Sequence, residues 1–256
     1  MKHRILLLIS AFTLLAACRA PLNVSQVETR KNIALTADLP ENEIFKKVIE
    51  PYKMEVEGKM NTKISHTSVD LNKQGDNSNL GNLLADYTLQ GADAWAKSNG
   101  IAGGVDAAVI NIGGIRSTIG AGDILTRHVY EVMPFENEVV IVKLKGSDLE
   151  GLFEYYLKTQ KNNPVAQIYI ETDNGAVTKK LINGKEIVAS KDYYIATSDY
   201  LALGGDNMNF FGKGEMISTG IRLRELFLEK FQANPEIVPP TDIRLNFKNK
   251  KDRTDG

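Results

Sequence analysis

Three short segments combine side chains that grip flat, polar ligands with glycines that let the backbone come close. Asn111-Ile112-Gly113-Gly114-Ile115-Arg116 directly follows an apolar run. Gly113 and Gly114 carry no Cβ, so the chain can turn sharply there and approach a ligand. Arg116 would then present its planar fork to oxygen atoms, although the same string also fits a tight turn followed by a surface arginine. Met133-Pro134-Phe135-Glu136-Asn137 precedes another apolar run. Its Phe135 reads either as a stacking platform for a flat ring or as a core side chain. The third segment, Ser198 to Asp206, places Tyr200 ahead of Gly204, Gly205 and Asp206. A carboxylate held by a glycine turn accepts two hydroxyl hydrogen bonds and suits a vicinal diol. Each signal alone is weak. Together, two aromatics, an arginine and an acid on glycine-rich loops match what a nucleoside needs.

The remaining reactive side chains point away from hydrolysis by this chain alone. Of its three histidines, His66 and His128 stand in neither a D-x-H nor an N-H-E setting and read as ordinary partly buried or surface residues. A paired-metal centre needs several carboxylate and imidazole ligands, so no cofactor is expected on this chain. There is no G-x-S-x-G elbow for a serine nucleophile. Lysine and arginine number 31 against 32 aspartates and glutamates, a net charge of −1, which gives no basic field for a nucleic-acid polymer.

The elements that must position these residues begin after a leader. Lys2, His3 and Arg4 precede an apolar run, Ile5 to Leu15, and Leu15-Ala16-Ala17-Cys18 resembles a bacterial lipobox. The alternative is a plain signal peptide that contains a cysteine, but Cys18 is the only cysteine in the sequence. The expected organisation is a lipoprotein signal over 1–18, a flexible tether over 19–40, one folded domain over 41–247 and a polar tail over 248–256. The expected location is the bacterial cell envelope, periplasmic or associated with the outer membrane, anchored by lipid on Cys18.

Within the domain, Ile44, Phe45, Val48, Ile49, Tyr52, Val56 and Met60 recur at helical spacing, with Pro51 allowing a kink or break near Glu50. Asn79 reads as a helix cap. Asp106 to Ile112, Asn137 to Leu144, Gln167 to Thr172 and Tyr193 to Thr197 read as strands. Leu149 to Leu157 and Thr219 to Phe231 read as helices. The irregular alternation implies an α+β single domain with a mixed sheet and packed helices.

Four segments, NLGNLLAD (Asn79 to Asp86), NIGGIR (Asn111 to Arg116), MPFEN (Met133 to Asn137) and YLALGGD (Tyr200 to Asp206), make the chain resemble the C-terminal domain of the 5′-nucleotidase and UDP-sugar hydrolase family. They stand in the family's order, and the similarity covers roughly Glu43 to Phe211. The resemblance implies that Phe135 and Tyr200 sandwich the base and that Asp206 holds ribose hydroxyls, while Asn111 and Arg116 contact polar groups of the nucleotide. Gly113, Gly114, Asn137, Gly204 and Gly205 complete the implied substrate site. The family's divalent metals sit in an N-terminal metallophosphatase domain. The implied function is therefore the nucleotide-binding half of a split 5′-nucleotidase, acting in nucleotide breakdown with a separate metallophosphatase. A stand-alone nucleoside- or nucleotide-binding lipoprotein is the alternative. The family pattern is departed from at two places: Asp76 and Asn77 stand where an arginine is common, and Asn207 and Met208 follow the GGD in place of glycine and an aromatic.

Overall fold

The computed structural model describes Val24 and residues 26–29, 31–36 and 39–250. The expected leader with Cys18 and the end of the polar tail lie outside the described residues. The elements run α1 (Glu43–Met60), β1 (Lys63–Thr67), α2 (Asn79–Ser98), β2 (Ala107–Val109), β3 (Gly122–Leu125), α3 (Thr126–Val132), β4 (Glu138–Lys145), α4 (Glu150–Thr159), β5 (Val165–Ala166), β6 (Ile168–Asp173), β7 (Ala176–Ile182), β8 (Asp192–Ser198), α5 (Asp199–Ala202), β9 (Glu215–Arg222), α6 (Leu223–Ala233) and β10 (Leu245–Phe247).

Alternation along β2, β4 and β8 builds two cores. Val139 and Ile141 point with Ala108, Ile110 and Ala196 into one, which is closed by apolar residues of α2, α3 and α6. Val140, Val142 and Leu144 point with Ala107, Val109 and Ile195 into the other, closed by α4 and by β6, β7 and β10. Burial on both faces explains why these strands read as nearly unbroken apolar runs. Each fully buried Val, Ile, Leu or Phe contributes roughly 1.5–3 kcal/mol. The strand order is β5-β2-β8-β4-β9. Within this five-stranded sheet β2 and β8 pair in parallel and the other neighbours antiparallel. A three-stranded sheet, β10-β6-β7, and a β1–β3 pair complete the mixed α+β architecture.

Arg244 ties the C-terminal segment to this framework. Its guanidinium donates to both oxygens of Asp86 (2.7 and 2.8 Å), to Asp242 (2.8 and 3.1 Å) and to the Val165 carbonyl on edge strand β5 (2.7 Å). Burial alone would lower its pKa, but the two carboxylates outweigh that and raise it.

Several local expectations change. The chain divides into units at Ile49 and Glu50, within α1. That helix runs unbroken past Pro51 and buries none of its residues. Exposed pairs one turn apart, such as Lys59–Glu55 at 2.7 Å, support it in place of a packed apolar stripe. Ser78, not Asn79, is the N-cap position of α2. Asn79 instead pins the preceding turn, accepting from the Asn72 and Leu80 N–H groups (2.8 and 2.7 Å) and donating to the Asp70 carbonyl (2.9 Å). Thr219 to Arg222 belong to β9, so the last amphipathic helix starts at Leu223.

Candidate functional site

Strand direction gathers five connections at one end of the large sheet. The parallel strands β2 and β8 finish there, into Asn111 and into Asp199–Asp206. β4 starts there after Phe135–Asn137, since it runs antiparallel to β8 with Val139 opposite Ser198. β9 ends there at Arg222, and β5 begins there after residues 160–164. The ends of parallel strands are where open sheets collect ligand-binding loops. All three predicted segments therefore meet, joined by two connections that the sequence did not single out.

The glycine turn after β2 is held from below. Asn163 is wholly buried, and its Oδ1 accepts from the Ile112 N–H (2.9 Å) while its Nδ2 donates to the Tyr155 hydroxyl (3.0 Å). Tyr156 donates to the Asn163 carbonyl (2.8 Å). Gly114 is buried and Gly113 exposed. The Asn111 amide packs over Gly114. Arg116 is exposed; its Nη1 donates back to the Gly113 carbonyl (3.1 Å), and its N–H donates to the Val132 carbonyl (2.9 Å), joining this turn to the next loop.

Phe135 rides on a loop fixed by arginines from β9 and α6. Arg222 Nη1 donates to the Glu136 carbonyl (2.5 Å). Arg224 pairs with the Glu136 carboxylate and stacks over the Tyr130 ring, 4.6 Å from its centroid. The core alternative for Phe135 does not hold, because it remains 44% exposed. Asn137 Nδ2 donates to Asp199 Oδ1 (2.8 Å), and that same oxygen accepts from the Tyr200 N–H (2.7 Å). One carboxylate thus links the Phe135 loop to the Tyr200 loop.

Tyr200, also 44% exposed, lies directly over Gly205. A Cβ at Gly205 would sit 2.5 Å from the Tyr200 carbonyl oxygen and 2.6 Å from two ring carbons, so only glycine admits the ring there. Gly204 (φ 93°) and Asp206 (φ 52°) take left-handed backbone. For Asp206 that conformation is strained, and the Tyr200 hydroxyl holds it by bonding both its carboxylate and its N–H. Lys161 Nζ stands 3.8 Å from Asp206 Oδ1. Burial, followed by the nearby Asp206 charge, raises the pKa of Tyr155 above the ordinary phenol value.

Three of the departing residues, Asp76, Asn77 and Met208, have structural roles. Asp76 pairs with Lys250. Asn77 receives the N–H groups of Arg244 and Leu245 (2.7 and 2.9 Å). Met208 and Phe210 are buried in the second core. His66 Nδ1 lies 2.9 Å from Glu236, and His128 Nδ1 accepts from the Leu125 N–H (3.2 Å). Among the described residues, no three His, Cys, Asp or Glu side chains converge as a metal-binding group, and no helix is long and apolar enough to cross a membrane. A cavity of about 420 Å³ beside Asp86, Gln90, Gln167, Tyr169 and Arg244 is lined by none of the five connections. The guanidinium there is already engaged by Asp86, Asp242 and backbone carbonyls.

Residues 56–213 match the family described as 5′-nucleotidase, C-terminal domain. Protein UshA of Yersinia enterocolitica is 30% identical over 193 residues, covering 70% of this chain and 32% of the relative. The trifunctional nucleotide phosphoesterase protein YfkN of Bacillus subtilis is 32% identical over 191 residues, 67% of this chain and 13% of its own. The chain thus spans about a third or less of these relatives. A 5′-nucleotidase precursor from Thermus thermophilus superposes with a TM-score of 0.67 at 25% identity, over 83% of this chain and 44% of that one.

Proposed function

Because this chain belongs to the 5′-nucleotidase C-terminal domain family, we propose that its five-loop end clamps the nucleoside part of a nucleotide. In this reading Phe135 and Tyr200 stack on the base, with Asn137 beside them at its edge. Asp206 takes the sugar hydroxyls, and Asn111 and Arg116 meet polar groups beyond the sugar. Gly113, Gly114, Gly204 and Gly205 let backbone approach the ligand. The observation that carries the reading is the shared Asp199 carboxylate, which ties the two exposed aromatics to one end of the sheet. Stacking on such rings is worth roughly 1–3 kcal/mol per base in single-stranded nucleic-acid binders, which sets the scale.

The clamp would serve a metallophosphatase on a separate polypeptide, whose paired divalent metals activate water for phosphate-ester hydrolysis. The four matched motifs all lie in the binding portion of the family, which supports this division of labour. Lipid on Cys18 would hold the chain at the cell envelope and raise its effective concentration near an anchored partner.

Two measurements test the proposal. Calorimetry with adenosine and AMP should show saturable binding by the full chain; heats of dilution alone would remove the clamp. Mixing the chain with a purified exported metallophosphatase that lacks a clamp domain of its own should raise nucleotide turnover. Unchanged turnover would sink the split enzyme while leaving the clamp standing.

A further inference from the structure

The connection before β5 brings a charge that the nucleoside clamp leaves unused. Lys161 Nζ sits 3.8 Å from Asp206 Oδ1, with about a third of its side chain exposed. Its backbone is fixed on both sides. Gln160, in left-handed backbone (φ 47°), donates its N–H to the Tyr156 carbonyl (2.8 Å) as α4 ends. Asn162 Nδ2 then reaches the Gly75 carbonyl (2.9 Å), and the buried Asn163 amide grips Ile112 and Tyr155. The ammonium is therefore presented at Asp206 by an ordered loop.

Building on the clamp reading, we infer that Lys161 is a specificity-determining residue. It compensates the Asp206 charge so that the site accepts ligands bearing an anion on the sugar. A carboxylate placed to receive sugar hydroxyls also repels a phosphate attached to the same sugar, and a partly desolvated cleft screens that repulsion less than water does. An ammonium beside the carboxylate cancels most of this field. At 3.8 Å it makes no hydrogen bond that a diol must displace; the hydrogen bond that Oδ1 accepts comes instead from the Tyr200 hydroxyl. Lysine suits the task because its point charge rides on a flexible stem that can swing toward the anion. Arg116, on the glycine turn, is a second cation at this end of the sheet. Neither lysine nor the Asp206 pairing follows from the motifs that mark the clamp.

The test compares the full chain with Lys161→Gln and Lys161→Arg by calorimetry, using adenosine and AMP at low and high salt. In Lys161→Gln, AMP affinity should fall about tenfold, the size of one lost charge-assisted contact. Adenosine affinity should stay within about twofold on the same scale. Lys161→Arg should keep most of the AMP affinity, and high salt should narrow the AMP difference between the unaltered chain and Lys161→Gln. Equal losses for both ligands would mean that Lys161 only supports the loop, and would overturn the assignment. So would AMP affinity unchanged by Lys161→Gln. Absence of binding to either ligand in the unaltered chain is a different failure, since it removes the clamp itself.

Discussion

The Tyr200 hydroxyl both donates to Asp206 Oδ1 and accepts from the Asp206 N–H, each at 3.2 Å. A side chain proposed to stack on a base is thereby coupled to the one proposed to hold the sugar. Tyr200→Phe keeps the ring and releases Asp206 from its strained backbone. Its expected effect is a loss of a few-fold in affinity for a ribonucleoside, with less change for the 2′-deoxy analogue. Tyr200→Ala should cost more, about 1–3 kcal/mol. Calorimetry decides: identical affinities in the Phe and Ala variants would remove the stacking role.

Asn163→Ala leaves the Ile112 N–H and the Tyr155 hydroxyl without their partner in a buried site. Each orphaned group costs about 1–3 kcal/mol. The melting temperature should drop by several degrees, given roughly 2–4 °C per kcal/mol for a domain of this size. A melt indistinguishable from the unaltered chain would show that water replaces the amide without penalty.

Arg224 acts on Phe135 through the loop beneath it. Arg224→Ala removes the ion pair to Glu136 and the contact over Tyr130. Amide hydrogen exchange at residues 135–137 should speed up while α6, apart from its first turn, stays protected. Exchange unchanged at those amides would show that Arg222 and the Asn137–Asp199 bond suffice to hold the loop.

His128 gives the fold a pH dependence. Burial is the largest influence on its imidazole and holds the pKa below the ordinary histidine value of 6.5. The folded chain therefore binds this proton less readily than the unfolded chain, so stability rises with pH across the interval between the two values. The contribution is complete above about 6.5 and fades as pH falls through the lowered folded value. Protonation also removes the Nδ1 acceptor that receives the Leu125 N–H at the start of α3. His128→Gln supplies an acceptor that does not titrate, a favoured choice at this helix position. Thermal melts from pH 7.5 down to 5 (a range spanning the unperturbed value of about 6.5) should show a shallower decline for the variant. Parallel declines would assign the acid sensitivity elsewhere.

The parts of the fold legible in the sequence are those where one periodicity dominates. β2, β4 and β8 announce themselves because both faces are buried, and the glycine pairs flag the loops that follow β2 and β8. Thr219 to Arg222 misleads because its β-branched residues continue without a break into a helix-spaced set, Leu223, Leu226, Phe227 and Phe231. The partners of the motifs were not legible at all. Asn163 lies in a polar stretch, Lys161-Asn162-Asn163, that reads as solvated loop, and its amide is held between Tyr155 on the preceding helix and Ile112, 51 residues away. Lys161 and Arg224 look like ordinary surface cations until strand order places them beside Asp206 and Glu136.

Because helices and a second sheet cover both broad sides of the central strands, the five connections can be reached by another macromolecule only end-on, along the strand axis. On the proposed clamp reading, a catalyst acting on the held nucleotide would approach from that direction, past Phe135 and Tyr200. The opposite end, where the Gly146 N–H just after β4 donates to the Lys191 carbonyl just before β8 (2.9 Å), faces the other way. A fluorophore or surface tether attached at residues 189–190 would therefore leave the approach route clear, and would let encounter with a second protein be timed without obstructing it.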